Sequence, residues 1–210
     1  MQKVIFFDLD GTLTPQTTWL LLNQRLGISA EEDHKLFQEY LENKFDYKEW
    51  MKALVERYKS KTLVTKNDLS TFADSIELRP EAQGMIDAVK TKGYSVAIIS
   101  GALDIVVSTI AEKLGVDTWL AKTKAIFNEN GEFVDMETTT EGERDAKLHL
   151  VEEYCVAHNI DMKELICVED GGNGLELFKH AKGILLGDNK DLAPFAWKQV
   201  ENLSEIPELL

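Results

Sequence analysis

The sequence predicts an α/β protein with a mostly parallel sheet and a helical segment inserted after the first strand. Val4–Phe7 is a run of four apolar residues that predicts a buried strand, and it ends in acidic residues. From Pro80 onward, strand-like and helix-like segments alternate, which is typical of parallel strands covered on both faces by helices. Between Pro15 and Arg79 the pattern is helical, and no strand pattern occurs.

The inserted segment is predicted to form a helical bundle beside the core, with hinges near Pro15 and Pro80. Gly27 ends its first helix, and the later helices have charged outer faces. The four predicted helices span Trp19–Leu26, Ala30–Glu42, Asp46–Lys59 and Lys66–Ser75. This division predicts one domain at 15–79 and a core formed by 1–14 and 80–210.

The rest of the chain alternates between the two element types. The predicted strands are Tyr94–Ile99, Thr118–Leu120, Leu165–Val168 and Gly183–Leu186, and the predicted helices are Glu81–Lys92, Leu103–Leu114, Glu143–His158 and Leu175–Lys182. Ala125–Asn128 and Glu132–Met136 predict a β-hairpin, with Asn130-Gly131 as a type I′ turn.

Length and charge exclude several classes of function. The 210 residues are enough for one α/β core with a small accessory domain, and the net charge is −14 with a pI of about 4.7. This acidity argues against nucleic acids and anionic membranes as partners. An anionic small molecule stays possible if a divalent metal is bound. No stretch of about 20 uncharged apolar residues exists, so no membrane span is expected.

The two cysteines, Cys155 and Cys167, lie in apolar stretches and are expected to be reduced core residues of a cytoplasmic protein. A disulfide between them is the alternative. Acidic residues interrupt the apolar run at the N-terminus, so no signal peptide is expected. Nothing in the sequence indicates an oligomeric state.

The most informative motif is Asp8-Leu9-Asp10-Gly11-Thr12, which directly follows the first predicted strand. Ligands bind at the carboxyl ends of strands in open α/β sheets, so two acids at this point indicate an active site. One carboxylate can attack a substrate while its neighbour transfers protons. A calcium loop or a surface turn is the alternative, but calcium loops continue with further oxygen ligands, whereas this segment continues Thr-Leu-Thr-Pro.

This motif resembles the first signature, DxDGT, of the haloacid dehalogenase (HAD) superfamily of phosphohydrolases. The resemblance implies that Asp8 is the nucleophile, which becomes an aspartyl-phosphate. It also implies that Asp10 protonates the leaving oxygen and later activates water. A Rossmann-like HAD core with a helical cap inserted just after the first strand is typical of the subfamily that resembles phosphoserine phosphatase. The resemblance therefore implies that residues 15–79 form such a cap.

Ser100 and Gly101 follow a predicted strand and precede a predicted helix. Free backbone N–H groups at a helix start can hold phosphate oxygens. These residues resemble the second HAD motif, and the resemblance implies that the Ser100 side chain and the Gly101 amide bind the phosphoryl group. A serine that caps the helix without any ligand is the alternative.

Lys147 lies on the apolar stripe of a predicted helix, close to its N-terminus. A lysine at such a position needs a nearby anion, because burial and the helix dipole both disfavour it. Lys147 matches the third HAD motif, which implies that it neutralises Asp8 and the phosphate. A lysine that reaches solvent at the edge of the stripe is the alternative, and Lys122 and Lys124 are weaker candidates.

The segment Val168–Gly174 again places acids after a strand and resembles the fourth HAD motif. Mg²⁺ prefers oxygen ligands, commonly one or two carboxylates with phosphate and water. The resemblance implies a Mg²⁺ site formed by Asp8, the backbone carbonyl of Asp10 and Asp170. Glu169 is expected either as an extra ligand or as a partner behind the ligands, and Asn173 is expected to reach the phosphate.

The same segment departs from the GDGxND pattern of phosphoserine phosphatases at two positions. Glu169 stands where that pattern has its first glycine, and Gly174 stands where it has its last aspartate. In this respect the segment is more similar to the ED-S-x-x-G variant of β-phosphoglucomutase-like HAD proteins.

Cap residues are expected to select the substrate, because lid elements complete and close such sites. Thr17-Thr18-Trp19 and Phe45–Trp50 resemble the S-W and D-Y-x-E-W patterns of archaeal-type phosphoserine-phosphatase-like HAD proteins. The specificity candidates are Thr17, Trp19, Tyr47, Trp50 and Arg57. The aromatic residues are expected to line a pocket or to stack on a cationic head group, with a role in the bundle core as the alternative.

The sequence therefore predicts a Mg²⁺-dependent phosphatase that hydrolyses a small phosphomonoester, phosphoserine-like or a related amino-alcohol phosphate, through an aspartyl-phosphate. The expected partner is a small phosphorylated metabolite, with no nucleic acid and no membrane. A phosphomutase of the β-phosphoglucomutase type and a non-catalytic protein that binds a phosphorylated ligand are the alternatives.

Overall fold

The sheet of the protein has seven strands in the described part of the chain. A computed structural model describes residues 3–42, 44–61, 63–138 and 146–210. The strands lie in the order β4-β3-β2-β1-β5-β6-β7, and all neighbours are parallel except β3 and β4. Their bounds are β1 Lys3–Asp8, β2 Tyr94–Leu103, β3 Thr118–Phe127, β4 Phe133–Thr138, β5 Ile166–Glu169, β6 Lys182–Leu186 and β7 Lys198–Val200.

The helices fall into two groups. Four of them follow β1 before the chain returns to the sheet, and we call these the cap helices: α1 Thr18–Arg25, α2 Ala30–Leu41, α3 Tyr47–Lys61 and α4 Lys66–Ser75. The others join or follow the strands of the sheet: α5 Ala82–Thr91, α6 Asp104–Lys113, α7 Ala146–His158, α8 Leu175–His180 and α9 Ile206–Leu209. The predicted α/β class and the helical insertion after the first strand are therefore confirmed.

Several predicted boundaries were wrong. β3 is one continuous strand from Thr118 to Phe127, where a short strand and a separate hairpin arm were expected. β2 runs on to Leu103 instead of ending at Ile99, since an irregularity at Ser100 lets its pairing with β3 resume at Leu103. β7 and α9 had no counterpart in the prediction. The start of the predicted helix 143–158 lies outside the described residues before Ala146.

The hairpin between β3 and β4 is present, but its turn is not type I′. That turn requires positive φ at both central residues, and only Gly131 has one, at 76°. The turn instead closes with Gly131 N–H donating to the Asn128 carbonyl oxygen at 2.9 Å. The Asn128 side chain satisfies further backbone N–H groups of the loop, at Asn130 and Glu132.

The core has two apolar layers, one on each face of the sheet. Side chains of successive strand residues point to opposite faces, so Ile5 and Phe7 join a cluster with the cap helices, α5 and α6. Val4 and Phe6 join a second cluster with α7 and α8. All four are at most 1% exposed, which explains why β1 is an uninterrupted apolar run.

Both cysteines lie in this core. Cys155 and Cys167 are buried free thiols, so the expected reduced state holds and the alternative disulfide is wrong. Within the described ranges, no helix has the length and apolar character needed to cross a membrane.

Candidate active site

The parallel register brings the carboxyl ends of three strands side by side. Asp8 pairs with Ile99, so Ser100 comes one residue beyond it on the neighbouring strand. Phe7 pairs with Val168, which places Glu169 beside Asp8 on the other side. Asp8, Ser100 and Glu169 are each at most 2% exposed. We call this group, together with the side chains that contact it, the strand-end site.

Lys147 lies at the centre of the strand-end site. Its Nζ is 2.9 Å from Asp8 Oδ1 and 2.5 Å from Glu169 Oε2, and it donates to Asn173 Oδ1 at 3.3 Å. The lysine is 3% exposed although it belongs to the first turn of α7. The anions that a lysine at this position needs are therefore supplied by two carboxylates from the ends of β1 and β5.

Burial and charge act in opposite directions on these groups. Burial lowers the pKa of Lys147, but the negative charges of Asp8 and Glu169 raise it, and the net shift is upward. Burial, reinforced by the charge of Asp8, raises the pKa of Glu169 although Lys147 opposes this shift. Two carboxylates thus share one ammonium group, and the strand-end site has no surplus of positive charge of its own.

Asp10 is held by the first residue of the first cap helix. Thr18 N–H donates to Asp10 Oδ1 at 2.9 Å, and Thr18 Oγ1 donates to Asp10 Oδ2 at 3.0 Å. Burial raises the pKa of Asp10 to about 7 and the charge of Asp8 adds to this, although the hydrogen bonds from Thr18 oppose it. A carboxyl group with such a pKa is suited to proton transfer near neutral pH.

Asp170 lies directly against the loop that follows Asp8 and Asp10. Thr12 Oγ1 donates to Asp170 Oδ1 at 3.1 Å. Gly11 has a φ of +82°, and a Cβ at this position would lie 2.1 Å from Asp170 Oδ2. Glycine is therefore required twice over at position 11, for its backbone conformation and for the close approach of the carboxylate. Burial and Asp8 raise the pKa of Asp170.

The oxygen donors around Asp8 and Asp170 fit the predicted Mg²⁺. Gly11 gives Asp170 the room to approach the loop of Asp8 and Asp10, and the oxygen atoms there are the hard ligands that Mg²⁺ prefers. In the part of the chain that the structure describes, however, no three His, Cys, Asp or Glu side chains are grouped to hold a metal. Glu169 points its Oε2 at Lys147 instead. Its other oxygen, Oε1, is buried and has no hydrogen-bond partner among the described residues, so Glu169 as an extra metal ligand stays a prediction.

Ser100 and Gly101 lie in the irregular end of β2 and not at a helix start. Ser100 Oγ accepts the N–H of Ala102 at 3.1 Å, while α6 begins only at Asp104. The Gly101 carbonyl oxygen accepts Trp19 Nε1 at 3.3 Å and Thr123 Oγ1 at 3.2 Å. The expected helix N-terminus is thus absent at Ser100, which lies instead in an irregular strand end that precedes α6.

An aromatic cluster from the cap helices packs over this bulge. Its members are Trp19, Tyr40, Tyr47 and Trp50, with ring centroids between 5.4 and 6.2 Å apart in each contacting pair. Tyr47 Oη lies 3.1 Å from Thr123 Oγ1, and Lys122 Nζ lies 3.3 Å from the centroid of the Tyr47 ring. The cluster is therefore joined to β3 by one hydroxyl contact and one cation–π contact.

These features agree with what comparison with known proteins finds. The model of the haloacid dehalogenase-like hydrolases matches residues 5–171. The chain belongs to this family. The phosphoserine phosphatase of Methanocaldococcus jannaschii is 29% identical over 183 residues, which cover 86% of this chain and 82% of that protein. The phosphoserine phosphatase of Lactococcus lactis is 24% identical over 181 residues, which cover 85% of this chain and 80% of that protein.

Solved structures show the same relationship for this HAD protein. A phospho-aspartyl intermediate analogue of phosphoserine phosphatase has a TM-score of 0.80 and 28% identity, and it covers 100% of this chain and 99% of its own. A substrate-bound phosphoserine phosphatase complex has a TM-score of 0.80 and 26% identity with the same coverage. The predicted HAD resemblance is confirmed, and the chain is a phosphatase, a hydrolase of phosphoric monoesters.

The side chains of two predicted specificity residues make no described contact with the strand-end site of this HAD phosphatase. Thr17 is exposed and precedes α1 without making a side-chain capping bond. Arg57 joins two cap helices, because its Nε donates to Glu32 Oε1 at 3.0 Å and its Nη1 donates to the Ala53 carbonyl at 2.9 Å. Trp19, Tyr47 and Trp50 belong to the aromatic cluster, and Tyr47 and Trp50 are buried in the core, so their packing agrees with the alternative role in the bundle core.

Sequence reasoning missed three threonines that fix the site. Thr12, Thr18 and Thr123 contact Asp170, Asp10 and the Gly101 carbonyl, and all three are at most 2% exposed. A buried hydroxyl beside an acidic motif is a usable signal for Thr12 and Thr18, since buried polar groups need partners. Thr123 lacked such a signal, because its segment was expected to be a loop between two short strands.

Proposed function

We propose that this phosphatase hydrolyses a small phosphomonoester in a Mg²⁺-dependent reaction through an aspartyl-phosphate on Asp8. The observation that carries the proposal is the buried Asp8 carboxylate, held 2.9 Å from Lys147 at a strand end, with a second acid two residues later. A phosphatase of this type needs a positioned nucleophile, a proton donor and positive charge around the phosphoryl group.

In the first step, an oxygen of Asp8 attacks phosphorus while the bond from phosphorus to the leaving oxygen breaks. Asp10 gives its proton to that leaving oxygen, so the product departs as an alcohol. The pKa of about 7 lets Asp10 hold the proton before this step and release it during the step. Lys147 stabilises the charge on the phosphoryl oxygens, together with the hydroxyl of Ser100 and the amide of Gly101.

In the second step, water attacks the phosphorus of the aspartyl-phosphate and the bond between Asp8 and phosphorus breaks. Asp10 takes a proton from that water, which returns the enzyme to its starting state and releases inorganic phosphate. Asp8, Asp170 and the backbone carbonyl of Asp10 would hold Mg²⁺, which neutralises phosphoryl charge and orients the group when it is bound.

We further propose that residues 15–79 act as a cap domain that opens to admit the substrate. Asp8 and Ser100 are 2% and 1% exposed, so the strand-end site is enclosed when the cap helices lie over it. A groove of about 550 Å³ runs between α3 and β4 and is lined in part by Met51, Val55 and Met136. It contains none of the catalytic carboxylates, so it does not by itself offer a path to Asp8.

Phosphoserine is the first substrate to test, since the relatives of known activity carry that name. An amino-alcohol phosphate is the second, because Trp19 is only half-buried and leaves part of its ring for a cationic group. Tyr47 is a weaker platform for such a group because the ammonium of Lys122 already lies over its ring. The buried free thiols of Cys155 and Cys167 fit the predicted cytoplasmic location.

The test is release of inorganic phosphate from phosphoserine, phosphoethanolamine, sugar phosphates and para-nitrophenyl phosphate, with Mg²⁺ and with EDTA. Asp8→Asn should abolish release, whereas Asp117→Asn, at an exposed position, should leave it unchanged. Stoichiometric transfer of phosphate between sugar positions with little release would support the phosphomutase instead. A folded protein that releases no phosphate from any compound would contradict the proposal.

A further inference from the structure

The end of β2 that carries Ser100 has one residue more than the part of β3 beside it. Between the pairs that Ser100 and Leu103 make with β3, β2 has two residues, Gly101 and Ala102, where β3 has one. An extra residue of this kind forms a bulge and interrupts the regular ladder of hydrogen bonds between the strands. Buried backbone groups need partners, so the peptide unit between Gly101 and Ala102 depends on other donors and acceptors.

The side chain of Thr123 supplies one of these donors. Its Oγ1 donates to the Gly101 carbonyl oxygen at 3.2 Å, and the residue is fully buried. A threonine hydroxyl has a single proton. Tyr47, whose Oη lies 3.1 Å from Thr123 Oγ1, must therefore be the donor in that second contact. Trp19 of α1 donates to the same carbonyl at 3.3 Å, but Thr123 belongs to the sheet, so its bond does not require the cap helices.

The other side of the same peptide unit contacts Ser100. The Ala102 N–H donates to Ser100 Oγ at 3.1 Å. A peptide unit is planar, so the bonds that hold the Gly101 carbonyl also fix the direction of the Ala102 N–H. Ser100 Oγ accepts this bond and keeps its own proton to donate. The position of the Ser100 hydroxyl is thus set, through one peptide plane, by a side chain of the neighbouring strand.

Gly101 makes this control necessary. Rotation about its backbone bonds turns the following peptide unit, and a residue without a Cβ restricts that rotation least. Nothing lies within 4 Å of a Cβ built at Gly101, so surrounding atoms do not fix the backbone there by close contact. Without the Thr123 hydroxyl, the peptide unit would lose a donor that keeps its N–H pointed at Ser100.

We propose that Thr123 is the positioning residue of Ser100 and that it acts through the Gly101–Ala102 peptide. It holds the peptide so that Ser100 Oγ accepts the Ala102 N–H and directs its own proton at the phosphoryl group. The phosphoryl part of this proposal rests on the function proposed above, whereas the chain of hydrogen bonds does not depend on it. Because all phosphomonoesters share the phosphoryl group, the contribution of Thr123 should be the same for every substrate.

Five variants test this role: Thr123→Val, Thr123→Ser, Ser100→Ala, the double variant S100A/T123V, and Thr109→Val. Thr123→Val removes the hydroxyl and keeps a branched side chain, whereas Thr123→Ser keeps the hydroxyl. Thr109→Val is the matched control. It also removes a hydroxyl that donates to a main-chain carbonyl, that of Ile105 at 2.7 Å, but it does so within α6.

With Mg²⁺ present, the dissociation constant of inorganic phosphate should rise by about 2- to 10-fold in Thr123→Val, the effect of weakening one hydrogen bond. It should rise by about 10- to 100-fold in Ser100→Ala, which loses a bond to a charged group. S100A/T123V should bind phosphate within about 2-fold of Ser100→Ala, because no Ser100 hydroxyl is left to position. Thr123→Ser and Thr109→Val should bind phosphate like the wild type.

Turnover should follow the same pattern. Thr123→Val should lower kcat/KM by a similar factor for phosphoserine, phosphoethanolamine and para-nitrophenyl phosphate, and Thr123→Ser should restore it. A merely structural role of Thr123 would let its loss add in full to that of Ser100→Ala. That outcome, or an equal loss in Thr109→Val, would overturn the proposal.

The NMR chemical shift of the Ala102 amide proton is a readout that needs neither turnover nor phosphate. This proton should move upfield in Thr123→Val, because its bond to Ser100 Oγ weakens, and it should not move in Thr109→Val. An unchanged shift in Thr123→Val would overturn the proposal. If the wild type hydrolyses no phosphomonoester, the proposed function fails, while this shift and the binding of inorganic phosphate still decide the role of Thr123.

Discussion

The strand-end site and the aromatic cluster differ in how their polar groups are held. In the strand-end site, Asp8, Lys147 and Glu169 are all buried and bind one another at 2.5 to 2.9 Å. In the aromatic cluster, rings pack on rings, and the polar contacts of Trp19 and Tyr47 with the core are single bonds of 3.1 to 3.3 Å. The first arrangement is held by charged groups, whereas the second is held by apolar packing with few polar contacts.

This difference predicts that the two regions respond differently to amino-acid substitution. Removing a charge from the strand-end site leaves its partner buried without compensation. Replacing a residue of the aromatic cluster leaves no charge uncompensated. It removes ring pairs that contribute about 0.5–1.5 kcal/mol each beyond their burial and, for Trp19 or Tyr47, one hydrogen bond of about 0.5–1.5 kcal/mol. Variants in the two regions should therefore differ in which kinetic constant they change and by how much.

After Asp8→Asn, the largest effect is expected from Asp10→Asn. An amide cannot donate the proton that the leaving oxygen needs, so kcat for an alkyl phosphate should fall by about 10²- to 10⁴-fold. In the first step the loss should be much smaller for para-nitrophenyl phosphate, whose leaving group departs without a proton. Because both substrates share the hydrolysis step, which also uses Asp10, single-turnover release of the alcohol or phenol measures this contrast. Equal losses in that release would contradict the role of Asp10 as general acid.

Gly11→Ala should have the next largest effect. Its Cβ would lie 2.1 Å from Asp170 Oδ2, and the backbone has a φ of +82°, so Asp170 must move. We expect a loss of stability of about 1–3 kcal/mol and a higher Mg²⁺ concentration for half-maximal activity. Gly84→Ala in α5 is the control, because nothing lies within 4 Å of its Cβ position. That substitution should stabilise the protein by about 0.5–1 kcal/mol.

Tyr47→Phe should have a smaller and more selective effect. It removes the hydroxyl contact with Thr123 but keeps the ring beneath Lys122. A lost hydrogen bond of about 0.5–1.5 kcal/mol corresponds to a roughly 2- to 10-fold change, which we expect in KM for the preferred substrate. Tyr47→Leu, which also removes the ring, should reorder the substrates by kcat/KM. An equal fall in kcat for every substrate would place Tyr47 with the catalytic groups instead.

The smallest effect concerns the start of α4, far from either region. Thr65 donates to Asp68 Oδ2 through its hydroxyl and its N–H, and these bonds lower the pKa of Asp68. A carboxylate with a lowered folded-state pKa stabilises the protein above its unfolded pKa, and this stabilisation is lost as pH falls below about 4. Asp68→Asn should therefore lower the melting temperature slightly at pH 7.

The difference in melting temperature between Asp68→Asn and the wild type should decrease as the pH is lowered from 5 to 3. Asp74→Asn on the same helix, whose carboxylate lies 3.7 Å from Lys113, is the comparison variant. If the melting temperature of Asp68→Asn differs from that of the wild type by the same amount across this range, the charge of Asp68 does not stabilise the N-terminus of α4.

Much of the strand-end site could be predicted because its signals are local. An apolar strand that ends in Asp8 and Asp10 is visible within ten residues, and the position of Lys147 on an apolar stripe demands an anion. The register of the sheet then brings these residues together. Glu169 was expected either as an extra ligand or as a partner behind the ligands, and its contact with Lys147 could not be predicted because the two lie 22 residues apart in the chain.

The cap contacts could not be predicted in the same way. Arg57 was a candidate for binding substrate, but Glu32, 25 residues earlier, binds it instead, and no local pattern signals such a pair. Thr17 and Thr18 differ only in which of them begins α1, and that single step decides which one faces Asp10. The end of β2 was misplaced because an irregular strand and the start of a helix look alike after Ile99.

The two hydrogen bonds from Thr18 have a consequence for the timing of the catalytic cycle. They are strongest when Asp10 is ionised, because an ionised carboxylate accepts two donors and a protonated one accepts them less well. Thr18 begins α1, so the protonation of Asp10 and the docking of α1 are thermodynamically linked. Each changes the free energy of the other by the same amount. Under the proposed mechanism, Asp10 loses its proton when the aspartyl-phosphate forms and regains one from the attacking water. The docking of α1 is then strongest while the intermediate exists and weakens when that water has given up its proton.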